Sequence, residues 1–270
     1  MIKRANKIDL AIMLIWPLVA SAISLAYEPG ALISVGLYLF LPSIYLSIRY
    51  PRFVKASLLF AVVTSIPTMI AIDYTAQITE AWLMYPNSIF PFKLFGIVTV
   101  EVILWALFSL YFVVIFYEAF LNEHIARKLW KPQVKHYLWI LTSAFIVFLF
   151  MKYLTPNLLN IPYYYLAWGV ALLLIPFIIQ AFKFPETTAK IVMAGLYFFY
   201  LHFIYEIVAM RLGWWTFPGT EFIGWVEIAQ IRFPVEELIF WFAFLALGSL
   251  TYFEYFFDNE EKFEKIEASN

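Results

Sequence analysis

The chain contains no cysteine. That excludes a disulfide framework, a thiolate metal site and a cysteine nucleophile. Charge is scarce as well: 14% of the 270 residues are Asp, Glu, Lys or Arg, against about a quarter in water-soluble domains. The formal net charge of −1 gives no sign of a nucleic-acid partner. Histidine occurs only as His124, His136 and His202, too few for a histidine-rich di-iron oxygenase. No Gly-x-Gly-x-x-Gly follows a strand pattern, so no redox cofactor is signalled.

What the chain has in excess is apolar surface. Hydrophobic residues make up 64% of it, in blocks of about 17 to 25, the length of a bilayer-spanning helix. The expected fold is all-α, a polytopic transmembrane helical bundle of about eight spans. They are placed at 8–27, 31–48, 56–72, 96–121, 138–154, 164–182, 191–212 and 234–257, with Asp73 ending the third. Longer connections cover 73–95 and 213–232. Of the 18 Lys and Arg, only Lys93, Lys152, Arg211 and Arg232 fall on the side opposite the termini. The positive-inside rule therefore puts both termini in the cytoplasm of a cell-membrane protein. Aromatics reach 21%, with 29 Phe and 10 Trp. They suit interfacial belts, core packing, or a cavity for a large flat or polyene ligand.

The acids recur. Asp73 precedes Trp82 by nine residues, and Glu206 precedes Trp215 by nine. Pro86 and Pro218 follow. Glu101 and Glu237 each have a tryptophan four residues on, Trp105 and Trp241. The offset between the two sets is about 133 to 136 residues. Two tandem four-span repeats of the same orientation, 1–130 and 131–270, account for it. Such repeats place a shared site at their interface.

On a helix, i and i+4 share a face, so Glu237 lies over Trp241, Glu236 over Phe240, Glu101 over Trp105 and His202 beside Glu206. A carboxyl group in a dry pocket favours its neutral form, and a second one nearby strengthens the preference. Adjacent glutamates therefore offer a general acid and a general base, and tryptophan faces stabilise a cation. Taken singly, each residue has a plainer role. Glu236 and Glu237 suit the positive end of a helix dipole, Asp73 a helix end, His202 a hydrogen-bonded core, and Trp82 and Trp215 interfacial anchors. Recurrence with matched acids favours a site.

At these residues the chain resembles the lycopene cyclase domain family, integral-membrane, cofactor-free carotenoid cyclases whose two homologous subunits or halves act together. Glu206, the segment Gly213-Trp214-Trp215-Thr216-Phe217 and the run Pro234-Val235-Glu236-Glu237-Leu238-Ile239-Phe240-Trp241 match the family pattern in the second half. In the first half Asp73, Trp82, Tyr85, Gly96 and Glu101 agree, while Val98 and Val100 replace the motif proline and first glutamate. The resemblance covers most of residues 31–257. It implies a hydrophobic polyene or isoprenoid substrate, and protonation of a terminal double bond by Glu236 or Glu237. Ring closure follows over Trp215, Trp241 or Trp105, then proton removal by Glu101, Asp73 or Glu206. The net reaction is an isomerisation. Trp82, Trp214, Phe240 and His202 complete the expected substrate-binding set. Two rivals stay open: an intramembrane glutamate protease of the prenyl-protein-processing type using Glu236, Glu237 and His202, and a non-catalytic carotenoid- or lipid-binding membrane protein. The oligomeric state, including a homo-oligomer, is open.

Overall fold

A computed structural model describes residues 4–122 and 132–258. His124, and Arg127, Lys128, Lys131 and the charged residues after 258 that count towards the positive-inside reading, lie outside the described residues. Among the described residues, eight helices are long and apolar enough to cross a membrane: α1 (Lys7–Tyr27), α2 (Ala31–Arg49), α3 (Pro51–Ile78), α4 (Val100–Asn122), α5 (Pro132–Leu154), α6 (Tyr164–Lys183), α7 (Pro185–Arg211) and α8 (Glu237–Phe257). Asp73 does not end the third helix. It lies inside α3, which continues to Ile78, with Asp73, Thr75 and Ala76 buried against the bundle and Gln77 bonded to Asp73 one turn back.

The connections after α3 and α7 hold short antiparallel strand pairs rather than bare loop, so the fold is helical with three small ribbons. The strands are β1 (Leu83–Met84), β2 (Lys93–Leu94), β3 (Val98–Thr99), β4 (Trp215–Thr216), β5 (Trp225–Ile228) and β6 (Ile231–Pro234). β1 pairs with β4, which ties the two connections together. β5 and β6 form a hairpin closed by Ala229 and Gln230, both at positive φ. That backbone suits the right-handed twist of a two-residue hairpin. Its usual Asn-Gly signature is absent, which hid it from the sequence.

Helices α3 and α7 end alike. The N–H of Ala81 donates to Ala76 O and that of Trp214 to Ala209 O, each behind a residue at positive φ, Glu80 or Gly213. This six-to-one bond turns the chain sharply at a helix C-terminus. It throws Trp82 and Trp215 back towards the helices they have just left.

Helices α4 and α8 form the centre, with two thirds of their apolar windows buried. α3 packs on α4 and α7 on α8. α2 packs on α4 and α6 on α8. The remaining two helices cross over: α1 packs on α7, and α5 on α3. The outer faces of α1, α5 and α6 stay apolar and exposed, with Ile8, Trp139, Ile146 and Phe182 among the exposed side chains.

Several helices contain π-helical stretches. Those at Gly36–Phe40 and Gly169–Leu174 sit just before Pro42 and Pro176. A proline has no N–H to donate and clashes with the turn before it, and a widened turn relieves both. The longest π-helical stretch, Glu237–Phe244, opens α8.

Candidate functional site

A cavity of about 60 Å³ lies between the two central helices and the ends of α3 and α7. That is room for a few water molecules or for one small end group. Asp73 from α3, Glu101 from α4, Glu206 from α7 and Glu237 from α8 all line it. Trp82, Trp105, Trp215 and Trp241 line it too, with His202. Nine of the twelve residues picked out from the sequence thus surround one hollow, drawn from both halves of the chain.

Three do not reach it. Glu236 is fully buried but turns away, and its Oε1 accepts the N–H of Ile223 at 2.7 Å. Consecutive helical side chains point about 100° apart, so Glu236 and Glu237 cannot share one pocket as an adjacent pair. Trp214 packs behind Tyr205 and Trp215 and donates from Nε1 to Pro29 O at 2.9 Å. Phe240 packs on α6, where a Cβ added to Gly169 would lie 2.2 Å from its ring. That glycine exists to admit the ring.

The hydrogen bonds sort the acids further. Trp215 Nε1 donates to Glu206 Oε1 at 2.9 Å, and Gln77 Nε2 donates to Asp73 Oδ2 at 2.6 Å. Each of these two carboxylates is held by one donor from its own side of the hollow. Glu101 Oε1 accepts the N–H of Phe90 at 2.6 Å, the same bond that Ile223 makes to Glu236. Hydrogen bonding therefore aligns Glu101 with Glu236, not with Glu237 as the tryptophan spacing suggested. Val102, next along α4, lines the cavity where α8 has Glu237.

One oxygen of each of Asp73, Glu101 and Glu237 is buried without a hydrogen-bond partner, and so is Trp241 Nε1. Neither ring nitrogen of His202 makes a hydrogen bond of acceptable geometry. Buried polar groups are normally satisfied, so a cluster of exceptions around one void marks a place for a bound group. The set mixes donors and acceptors. Its walls are aromatic: Trp82 and Trp215 lie 6.2 Å apart, and Trp105 lies 6.0 Å from His202.

Two tyrosines not expected from any motif also stand here. Tyr165 lines the cavity beside Trp241, with ring centroids 5.8 Å apart. Tyr205 lines it from α7, its ring edge-on to Trp215 at 5.5 Å and its hydroxyl sharing a 3.0 Å hydrogen bond with Ser34. Tyr205 stands one residue before Glu206, the only available signal. Ala31 and Val35 of α2 supply small side chains to the same wall. The chain matches no family model, no curated protein and no solved structure.

Proposed function

We propose that the protein is a multi-pass membrane enzyme that cyclises the end group of an acyclic isoprenoid or polyene by acid catalysis. The carrying observation is the convergence of Asp73, Glu101, Glu206 and Glu237 with four tryptophans on one small cavity. Carboxyl groups at such depth are costly unless they serve a function. Glu237 is the proposed acid, because its Oε2 is buried, points into the hollow and accepts nothing. It gives its proton to one carbon of a terminal double bond, leaving a tertiary cation. A neighbouring double bond attacks that cation and closes the ring, and the positive charge moves along the chain. The ring faces of Trp105, Trp215 and Trp241 stabilise it. Asp73 or Glu206 then takes a proton from the carbon beside the cation, which restores a double bond. Atoms and charge balance without a redox partner.

The two-repeat architecture supports this reading. Leu83 pairs with Thr216 across the β1–β4 ribbon, so residues at the 133-residue offset face each other, as a local two-fold axis requires. The π-helical turns before Pro42 and Pro176 match at similar offset, as do the ends of α3 and α7. α1 on α7 and α5 on α3 are the same contact made twice. Helical backbone starts at Val100 ahead of Glu101 and at Val235 ahead of Glu236, just before α8, an offset of 135. From Trp105 and Trp241 onward it is 136. The extra residue is absorbed in the Glu237–Phe244 π-helical stretch, and Glu237 is the acid with no counterpart in the first half. π-Bulges of this kind recur at functional sites.

The test is chromatography of pigments from membranes containing the protein with an acyclic carotenoid pathway. Conversion by wild type and its loss in Glu237→Gln supports the proposal. Unconverted pigment bound in stoichiometric amount identifies a binding protein instead.

A further inference from the structure

A second cavity, about 490 Å³, lies directly against the acidic one. Met69, Ile72, Trp105 and Trp241 belong to the walls of both. Its volume falls in the range of ligand sites, whereas the acidic hollow holds no more than an end group. Beyond Trp105 and Trp241 it runs along α8 past Leu245 to Tyr252, roughly 16 Å at 1.5 Å per residue. Its lining is almost wholly apolar. The tyrosine hydroxyls at the far end are already satisfied, Tyr137 by Thr64 at 3.0 Å and Tyr252 by Leu172 O at 3.0 Å.

One side of this chamber is open. Ile140 and Val147 of α5 line it and are each 56% exposed. α5 packs on α3 and on the far end of α8, and not closely on α6. Across the gap, Gly169, Leu172 and Leu173 of the α6 π-helical stretch form the opposite wall. The gap lies among exposed apolar side chains of α5 such as Ile140 and Val147.

We infer that the chamber between α5 and α6 binds the apolar tail of an elongated isoprenoid chain, which slides in sideways from the bilayer and presents one end to the acids past Trp105 and Trp241. The inference rests on the acid-cyclase reading for what happens to that end, but the tail site stands or falls by binding alone. A chain held this way has one end in the hollow and the other in the chamber, so a substrate with two reactive ends must leave and re-enter reversed. Half-converted product therefore accumulates before fully converted product.

The absence of native cysteine makes the gap easy to lock. Ala144→Cys with Leu172→Cys places one thiol on each wall, to be bridged by a reducible bis-thiol reagent in nanodiscs. Squalane, a saturated isoprenoid with no double bond to protonate, is the binding probe, quantified by gas chromatography after washing. The bridged protein is expected to retain at least ten-fold less squalane than the unbridged one, with recovery on reduction. Ala144→Trp, a bulky plug in the chamber, should lower retention likewise, while Leu196→Trp on the exposed face of α7 should not. Folding is monitored by size-exclusion profile, so loss of binding in a well-folded plug counts for the chamber. Equal squalane retention with the gap bridged and open overturns the inference, whatever the protein does to polyenes. Squalane binding that depends on the gap, with acyclic carotenoids left unconverted, upholds the chamber and sinks the cyclase reading alone.

Discussion

Glu236 and Glu237 are neighbours in the chain with opposite jobs. Glu236 anchors the hairpin strand to the loop through Ile223, while Glu237 faces the hollow with an empty oxygen. Glu237→Gln should lower turnover by about 10²–10⁴-fold, the usual weight of a general acid. It should leave thermal unfolding in detergent nearly unchanged, since no bond is lost. Glu236→Ala should do the reverse to stability. It removes the acceptor of the part-buried Ile223 N–H bond at a cost of about 0.5–1.5 kcal/mol, seen as a lowered unfolding temperature, and Glu236→Gln should restore most of it because the amide oxygen still accepts. Gly169→Ala should cost about 1–3 kcal/mol through overpacking against Phe240, readable in the same melt. The sequence singled out both glutamates, and both are buried. Adjacency in the chain suggested a pair, and only the rotation of the helix separates them.

At the scale of elements, the start of α8 decides the site. A regular α-helix from Val235 would carry Trp241 round to a different bearing relative to Glu236. The π-helical stretch takes up one residue and lets Trp105 and Trp241 both reach the cavity. Deletion of Ile239, a partly exposed residue within that stretch, should leave helical content by circular dichroism unchanged and abolish turnover. Retention of activity after the deletion would remove the widened turns from the account. The helices themselves were legible in the sequence to within a few residues, because apolar length is a strong signal. The ribbons were not. Their strands are two to four residues long, and the Ala229–Gln230 turn lacks the residues that normally announce one.

For the whole molecule, α3 and α4 supply Asp73 and Glu101 to the cavity and α7 and α8 supply Glu206 and Glu237, while α1 packs on α7 and α5 on α3. On the proposed two-repeat reading, neither half has a complete site alone. Two chains spanning 1–127 and 128–270, cut between α4 and α5, should co-purify when co-expressed and recover turnover, while either alone should be inactive. Failure of the halves to associate would count against the tandem arrangement.

Composition and periodicity alone determined that the chain is a bundle of about eight long apolar helices, and the recurrence of acid and tryptophan at a near-constant offset determined which side chains to watch. Burial in apolar surroundings makes such residues rare enough to stand out. Which carboxylate faces the hollow, which merely holds a loop, and where a long apolar chamber adjoins them were decided only by tertiary structure. Those outcomes depend on helix rotation, a single absorbed residue and the crossing of α1 and α5 between halves, and none of these leaves a mark on local sequence.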